Sequence, residues 1–150
     1  MKLYQAFATD LNHLLNGARA VRITVSGYLP LSVEEIGSSG DGYRLVSLCH
    51  YGEQNGDLMR DPDIVFLFHN LPDGLAAEPV SFRNDYLGIA QDVYRYDETG
   101  RRTHVVPLLK QELKEFAESW FANLKDQGFF ASTAVREILS PSFPRSLDGT

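Results

Sequence analysis

The chain has a single cysteine, Cys49, among 150 residues. That excludes an intramolecular disulfide and any zinc site built from several thiolates, and it fits a reducing, cytoplasmic setting. Basic residues are also scarce. There are 14 Lys and Arg against 20 Asp and Glu, a formal net charge of −6. Nonspecific nucleic-acid binding needs basic surface to displace counterions, so it is not expected; Arg101-Arg102 is the one obvious basic cluster. No apolar run approaches the roughly 20 residues that span a bilayer. Residues 1–17 interleave apolar groups with Asp10, Asn12 and His13, unlike a signal peptide, so no membrane association is expected. Beginning at Met1 without a tag, the chain reads as a complete small protein.

Signatures of catalysis are missing too. His13, His50, His69 and His104 show neither HxH nor HExxH spacing, and there is no Gly-x-Ser-x-Gly elbow. The glycine-rich stretch 37–42 has no Gly-Lys-Ser/Thr after it and no helix, so it reads as a hairpin connection rather than a phosphate cradle. Asp63 with the later Glu112 and Lys114 superficially matches a PD…ExK nuclease pattern, but that Glu and Lys fall on the exposed face of a helix. Cys49 and His50 are neighbours on a strand and point to opposite faces, so they cannot form a thiol–imidazole pair.

Fold signals are abundant. Leu3, Phe7, Leu11, Leu14 and Leu15 recur at helical spacing and Gly17 stops them, predicting a helix over 2–16. Leu109, Leu113, Phe116, Ala117, Trp120, Phe121 and Leu124 form a second stripe, with Pro107 in its first turn and Gly128 at its end. Between them, strand patterns begin near Val21, Leu29, Tyr43, Ile64, Val80 and Ala90, with a short one near His104. Residues 132–139 read as a short third helix. The expected fold is α+β: an antiparallel meander of about five to seven strands, with the N-terminal and C-terminal helices packed on one face. Residues 1–139 form the single domain and 140–150, with Phe143 and Leu147, a loosely ordered tail.

The stretch from Cys49 to His69 is the most informative. Asn55-Gly56 tolerates the positive φ angles of a type I′ turn and lies between two β-prone runs. Glu53, Gln54, Asp57, Arg60, Asp61 and Asp63 surround it, so the segment reads as a hairpin with an acidic tip. In that register Glu53 lies near Leu58 and His50 near Asp61, with a bulge at Asp61-Pro62. The candidate binding set is His50, Glu53, Gln54, Asn55, Asp57, Arg60, Asp61 and Asp63, together with Tyr86 and Tyr94. Tyr86, Tyr94 and Tyr96 are placed to line a pocket opposite the helices.

The Tyr28-Leu-Pro-Leu run, the Gln54-Asn-Gly-Asp-Leu-Met-Arg-Asp-Pro62 core, and Asp85-Tyr-Leu-Gly88 with Gln91 resemble a bacterial family of unknown function carried on plasmids and integrative mobile elements. The resemblance covers roughly residues 20–125. It implies a bacterial cytoplasmic context and a link to mobile DNA, and it assigns no catalytic residue. Two functions remain open. The first is a non-catalytic protein-interaction or ligand-binding domain that needs no cofactor and has a protein partner. The second is a small metal-dependent hydrolase with Asp57, Asp61 and Asp63 as ligands and His50 as base. The first is favoured, because no complete set of ligands, nucleophile and charge stabiliser is present.

Overall fold

The computed structural model describes residues 2–140. Helix α1 (Lys2–Leu15) precedes the strands β1 (Ala20–Thr24), β2 (Leu31–Ser38), β3 (Arg44–Gln54), β4 (Asp57–Leu71), β5 (Gly74–Asn84), β6 (Ile89–Asp92), β7 (Tyr94–Tyr96) and β8 (Arg102–Val105). Helix α2 (Pro107–Gln127) and β9 (Val135–Ile138) follow. Seven strands make one antiparallel sheet in the order β6-β5-β4-β3-β2-β1-β9, and β7 pairs with β8 in a separate ribbon. This is the α+β meander the sequence predicts. The proposed tail at 141–150, with Phe143 and Leu147, lies outside the described residues.

The helices form where the periodicity places them. Tyr4, Phe7, Leu11, Leu14 and Leu15 of α1 are buried, as are Ala117, Trp120, Phe121 and Leu124 of α2. The Phe7 ring lies 5.3 Å from Phe121 and 5.9 Å from Phe66, centroid to centroid, so both helices meet the sheet through one aromatic cluster. Gly128 ends α2 in the left-handed region at φ 96°, donating its N–H to the Lys125 carbonyl.

Alternate residues of β3 and β4 divide between two apolar clusters. Val46, Leu48, Ile64, Phe66 and Phe68 join the helix-covered core, whereas Leu45, Val65 and Leu67 join Ile36, Val80, Val93 and Tyr94 beneath Leu109 and Leu113 of α2. Successive strand residues point to opposite faces, so this end of the sheet is buried on both. The unbroken apolar run 64–68 is the sequence mark of such a strand.

Two local expectations are corrected. Residues 132–139 form no third helix: β9 occupies 135–138 and pairs antiparallel with β1, Val21 opposite Ile138 and Thr24 opposite Val135. So short a helix is marginal in water, while the open edge of β1 offers a ladder of hydrogen-bond partners. The single strand expected from Ala90 to Tyr96 is two, divided at Val93. There the Val93 amide bonds the Val80 carbonyl of the main sheet and its carbonyl accepts from the Val106 amide, so the chain passes from one sheet to the other.

Candidate functional site at the paired hairpin tips

The Asn55-Gly56 turn is present, with φ of 52° and 85°, both positive as a type I′ turn requires. Gln54 pairs with Asp57 and Glu53 with Leu58. A bulge follows: His50 alone stands opposite Asp61 and Pro62, between the Cys49–Asp63 and Tyr51–Arg60 pairs. The Asp61–Pro62 peptide is cis.

A second tip, the β5–β6 turn, docks on this hairpin. Asp85 is the fastener. Its carboxylate accepts the Arg60 amide at 2.7 Å and the Arg60 guanidinium at 3.0 Å, while its own amide bonds the Arg60 carbonyl at 2.9 Å. Nε and NH2 of Arg60 address both oxygens, the forked geometry that makes guanidinium–carboxylate pairs strong. The hydrogen bonds of this pair push Asp85 below the usual carboxylate range and Arg60 further up. Asn84 adds a bond from Nδ2 to Asp61 Oδ1 at 3.0 Å, and the Tyr86 hydroxyl donates to the Glu53 carbonyl. Tyr86 lies so close over Gly52 that a Cβ there would collide with its hydroxyl oxygen. A side chain at 52 would therefore make the Tyr86 ring shift.

Glu53, Gln54, Asn55, Asp57, Arg60, Asp61 and Tyr86 thus belong to one composite surface. Arg60 is spent internally, whereas Glu53 and Asp57 face solvent. Leu58 and Leu87 are each 70% exposed beside them, and Tyr86 is 43% exposed.

His50, Asp63 and Tyr94 lie elsewhere. The His50 ring packs 5.7 Å from Trp120 and 5.5 Å from Phe129, with Nδ1 3.2 Å from the Pro30 carbonyl. Burial lowers its pKa, against smaller upward pulls from the Pro30 and Leu29 carbonyls and from Asp61. The proposed His50–Asp61 base pair is not what orients this imidazole: the Pro30 carbonyl does, and Asp61 takes its hydrogen bond from Asn84. Asp63 is buried and accepts the Ser47 hydroxyl at 2.6 Å. The metal set Asp57, Asp61 and Asp63 does not assemble. Asp57 and Asp63 are separated by roughly 20 Å of extended strand. Among the described residues, no three His, Cys, Asp or Glu side chains gather as cation ligands.

Tyr94 belongs to a polar knot that sequence reasoning missed. Glu78 of β5, almost fully buried, accepts the Tyr94 hydroxyl, and lies 3.1 Å from His69 Nε2 and 3.3 Å from Lys110 Nζ. Lys110 also reaches the Tyr94 hydroxyl at 3.1 Å, and the Arg102 guanidinium covers the Tyr94 ring at 3.8 Å. Burial and then Glu78 raise the Tyr94 pKa, so the phenol stays protonated and is no activated base. For Lys110, burial pulls down, but its bond to Tyr94 and the charge of Glu78 outweigh it and the net shift is upward. The knot ties β4, β5, β7 and α2 together, and in the sequence Glu78 shows only as an acid within an apolar strand.

Beside the knot lies a cleft of about 1160 Å³, lined by Tyr94 and Tyr96 with Ala90, Gln91, Leu108 and Glu112 among others. Two of the three tyrosines expected at a pocket meet there; Tyr86 does not, because it is bound to the hairpin tip. The cleft does not lie opposite the helices as expected, since Leu108, Leu109 and Glu112 of α2 line it. No helix of the described residues is long and apolar enough to cross a membrane.

Neither the curated proteins nor the solved structures contain a match to this chain. A family model does match over residues 2–130, the domain of unknown function DUF6908, which takes in α1, all eight strands through β8, and α2. The chain belongs to the DUF6908 family.

Proposed function

We propose that this domain is a non-catalytic interaction module that presents its paired hairpin tips to a protein partner. The observation that carries this reading is the fastening of two turns by the Arg60–Asp85 fork, with Leu58 beside one turn and Leu87 on the other each 70% exposed. Preorganised loops lose little entropy on binding, and exposed apolar groups on such a scaffold are typical contact anchors. With Arg60 neutralised by Asp85, the remaining tip charges are Glu53, Asp57 and Asp61, so the complementary surface is basic around an apolar recess. The resemblance of the Tyr28-Leu-Pro-Leu and Gln54–Pro62 segments to proteins of mobile elements favours a bacterial cytoplasmic setting, with a DNA-handling protein of the element as partner. A hydrolytic reading has no support of comparable kind, since its three ligands lie apart along β4.

Affinity capture from the native host with a Leu58→Asp/Leu87→Asp variant tests this. The variant is expected to lose a partner that the wild-type chain retains, while its unfolding free energy stays within about 0.5 kcal/mol. Retention of every partner by the variant would remove the tips as the contact.

A further inference from the structure

The turn that sets the β3–β4 hairpin also carries a reactive pair. Asn55 and Gly56 are both exposed, so water and base reach them. In a two-residue turn the ladder closes on the flanking residues, here Gln54 and Asp57, and the Gly56 amide is left without a cross-strand acceptor. That nitrogen can close a five-membered ring onto Cγ of the Asn55 carboxamide. Gly56 has no Cβ to obstruct the approach.

Ring closure also needs the right backbone rotation. The Gly56 nitrogen must eclipse Cβ of Asn55, which sets ψ of Asn55 at roughly −120°, the value of the first central residue in a type II′ turn. A type I′ turn has ψ at roughly +30° there, and the two turns share a φ of about +60°. Asn55 already sits at φ 52°. Passing from one turn to the other therefore flips only the 55–56 peptide plane. It takes φ of Gly56 from 85° to a negative value, and glycine adopts both signs about equally well. Both are hairpin turns, so the strand pairing survives the flip.

We propose that Asn55 is a site of spontaneous modification, at which the hairpin tip converts from asparagine to aspartate and isoaspartate through a cyclic imide. The deprotonated Gly56 amide attacks Cγ of Asn55. The N–Cγ bond forms, the Cγ–Nδ2 bond breaks, and ammonia leaves with a proton that balances the one lost from the amide. Water then opens the imide, at Cγ to give aspartate or at the α-carbonyl to give isoaspartate. One water is consumed and one ammonia released, with no change of oxidation state. Aspartate adds a carboxylate beside Glu53, Asp57 and Asp61. Isoaspartate carries the main chain through Cβ, which lengthens the turn by a backbone atom and breaks the Gln54–Asp57 register. An effect on partner binding rests on the reading of the tips given above; the conversion does not, and it is measured on the free chain.

The test is to age the full-length chain at body temperature, in neutral and in mildly alkaline buffer, and map it by peptide mass spectrometry. Asn55 is expected to gain the mass of an amide-to-acid exchange and to accept methyl groups from an isoaspartate-specific methyltransferase. Its conversion should run at least about tenfold faster than at the exposed Asn70 and Asn123, each followed by leucine. It should also run severalfold faster in the alkaline buffer, because the nucleophile is the deprotonated amide. Amide exchange at residues 53–58 should rise in the isoaspartate fraction. Asn16-Gly17, with φ of 47° and 85° at the end of α1, is an internal reference of the same chemistry away from the tip. Conversion at Asn16 with Asn55 intact would show that the hairpin blocks the flip and overturn the proposal. So would a rate at Asn55 no greater than at Asn70, or one indifferent to pH.

Discussion

One hairpin, β3–β4, has two ends built on different physics. At the inner end, Phe66 is fully buried, its ring 5.9 Å from Phe7 and 5.8 Å from Phe121, and Leu67 is equally buried on the opposite face. At the outer end, Leu58 lies in solvent and the order comes from an ionic fork, a tyrosine hydroxyl and a tight turn. Apolar burial is non-directional and tolerates many arrangements, so it supplies stability. Forked hydrogen bonds are directional and modest in net energy, so they supply a defined shape at a surface left free for contact. The inner end therefore reads as scaffold and the outer end as the contact surface we propose.

The largest expected effect lies at the inner end. Phe66→Ala should cost about 3–5 kcal/mol in chemical denaturation, the range for large-to-small core changes. A loss below about 1 kcal/mol would mean that the aromatic cluster is not what holds the helices. Glu78→Ala comes next. It leaves the Tyr94 hydroxyl and Lys110 without their shared acceptor, and a loss of about 2–3 kcal/mol is expected, reduced from the fully buried case because Lys110 and His69 reach water. No measurable loss would show that the knot only fills space.

At the outer end the numbers fall. A double-mutant cycle on Arg60→Gln and Asp85→Asn should give a coupling of about 0.5–1 kcal/mol, because both groups keep partial solvent access. The pair also has a pH signature. The folded-state pKa of Asp85 is depressed by Arg60, so its contribution is present above the ordinary carboxylate pKa and is lost as pH falls through the folded value. Asp85→Asn should flatten that acid limb, and an unchanged limb would dissociate the fork from stability. Smallest of all, Leu58→Ser should change stability by no more than about 0.5 kcal/mol. A larger loss would show that Leu58 belongs to the scaffold and would erase the contrast between the two ends.

Much of the scaffold was legible because it rests on local periodicity. The Leu3–Leu15 and Leu109–Leu124 stripes predicted both helices, Asn55-Gly56 set the register of the hairpin tip, and Asp61-Pro62 marked the bulge. The site was legible only in half. The β3–β4 tip was named residue by residue, but Asp85 was not among its members. Nothing local marks Asp85, which sits 25 residues beyond Arg60 in the chain. Tyr86 was chosen for a pocket and is instead packed against Gly52. Glu78 looked like an interruption in a strand until β7 and α2 brought Tyr94 and Lys110 to it.

The sequence alone determined the helices, the turns and the alternation of strands, because each depends on dihedral preference and side-chain spacing within a few residues. Tertiary structure decided that residues 135–138 pair with β1 rather than coil into a helix, that Val93 joins two sheets, and that Asp85 clasps Arg60. Those outcomes depend on which partners distant segments find, and a four-residue strand or a lone carboxylate carries too little local preference to choose between them.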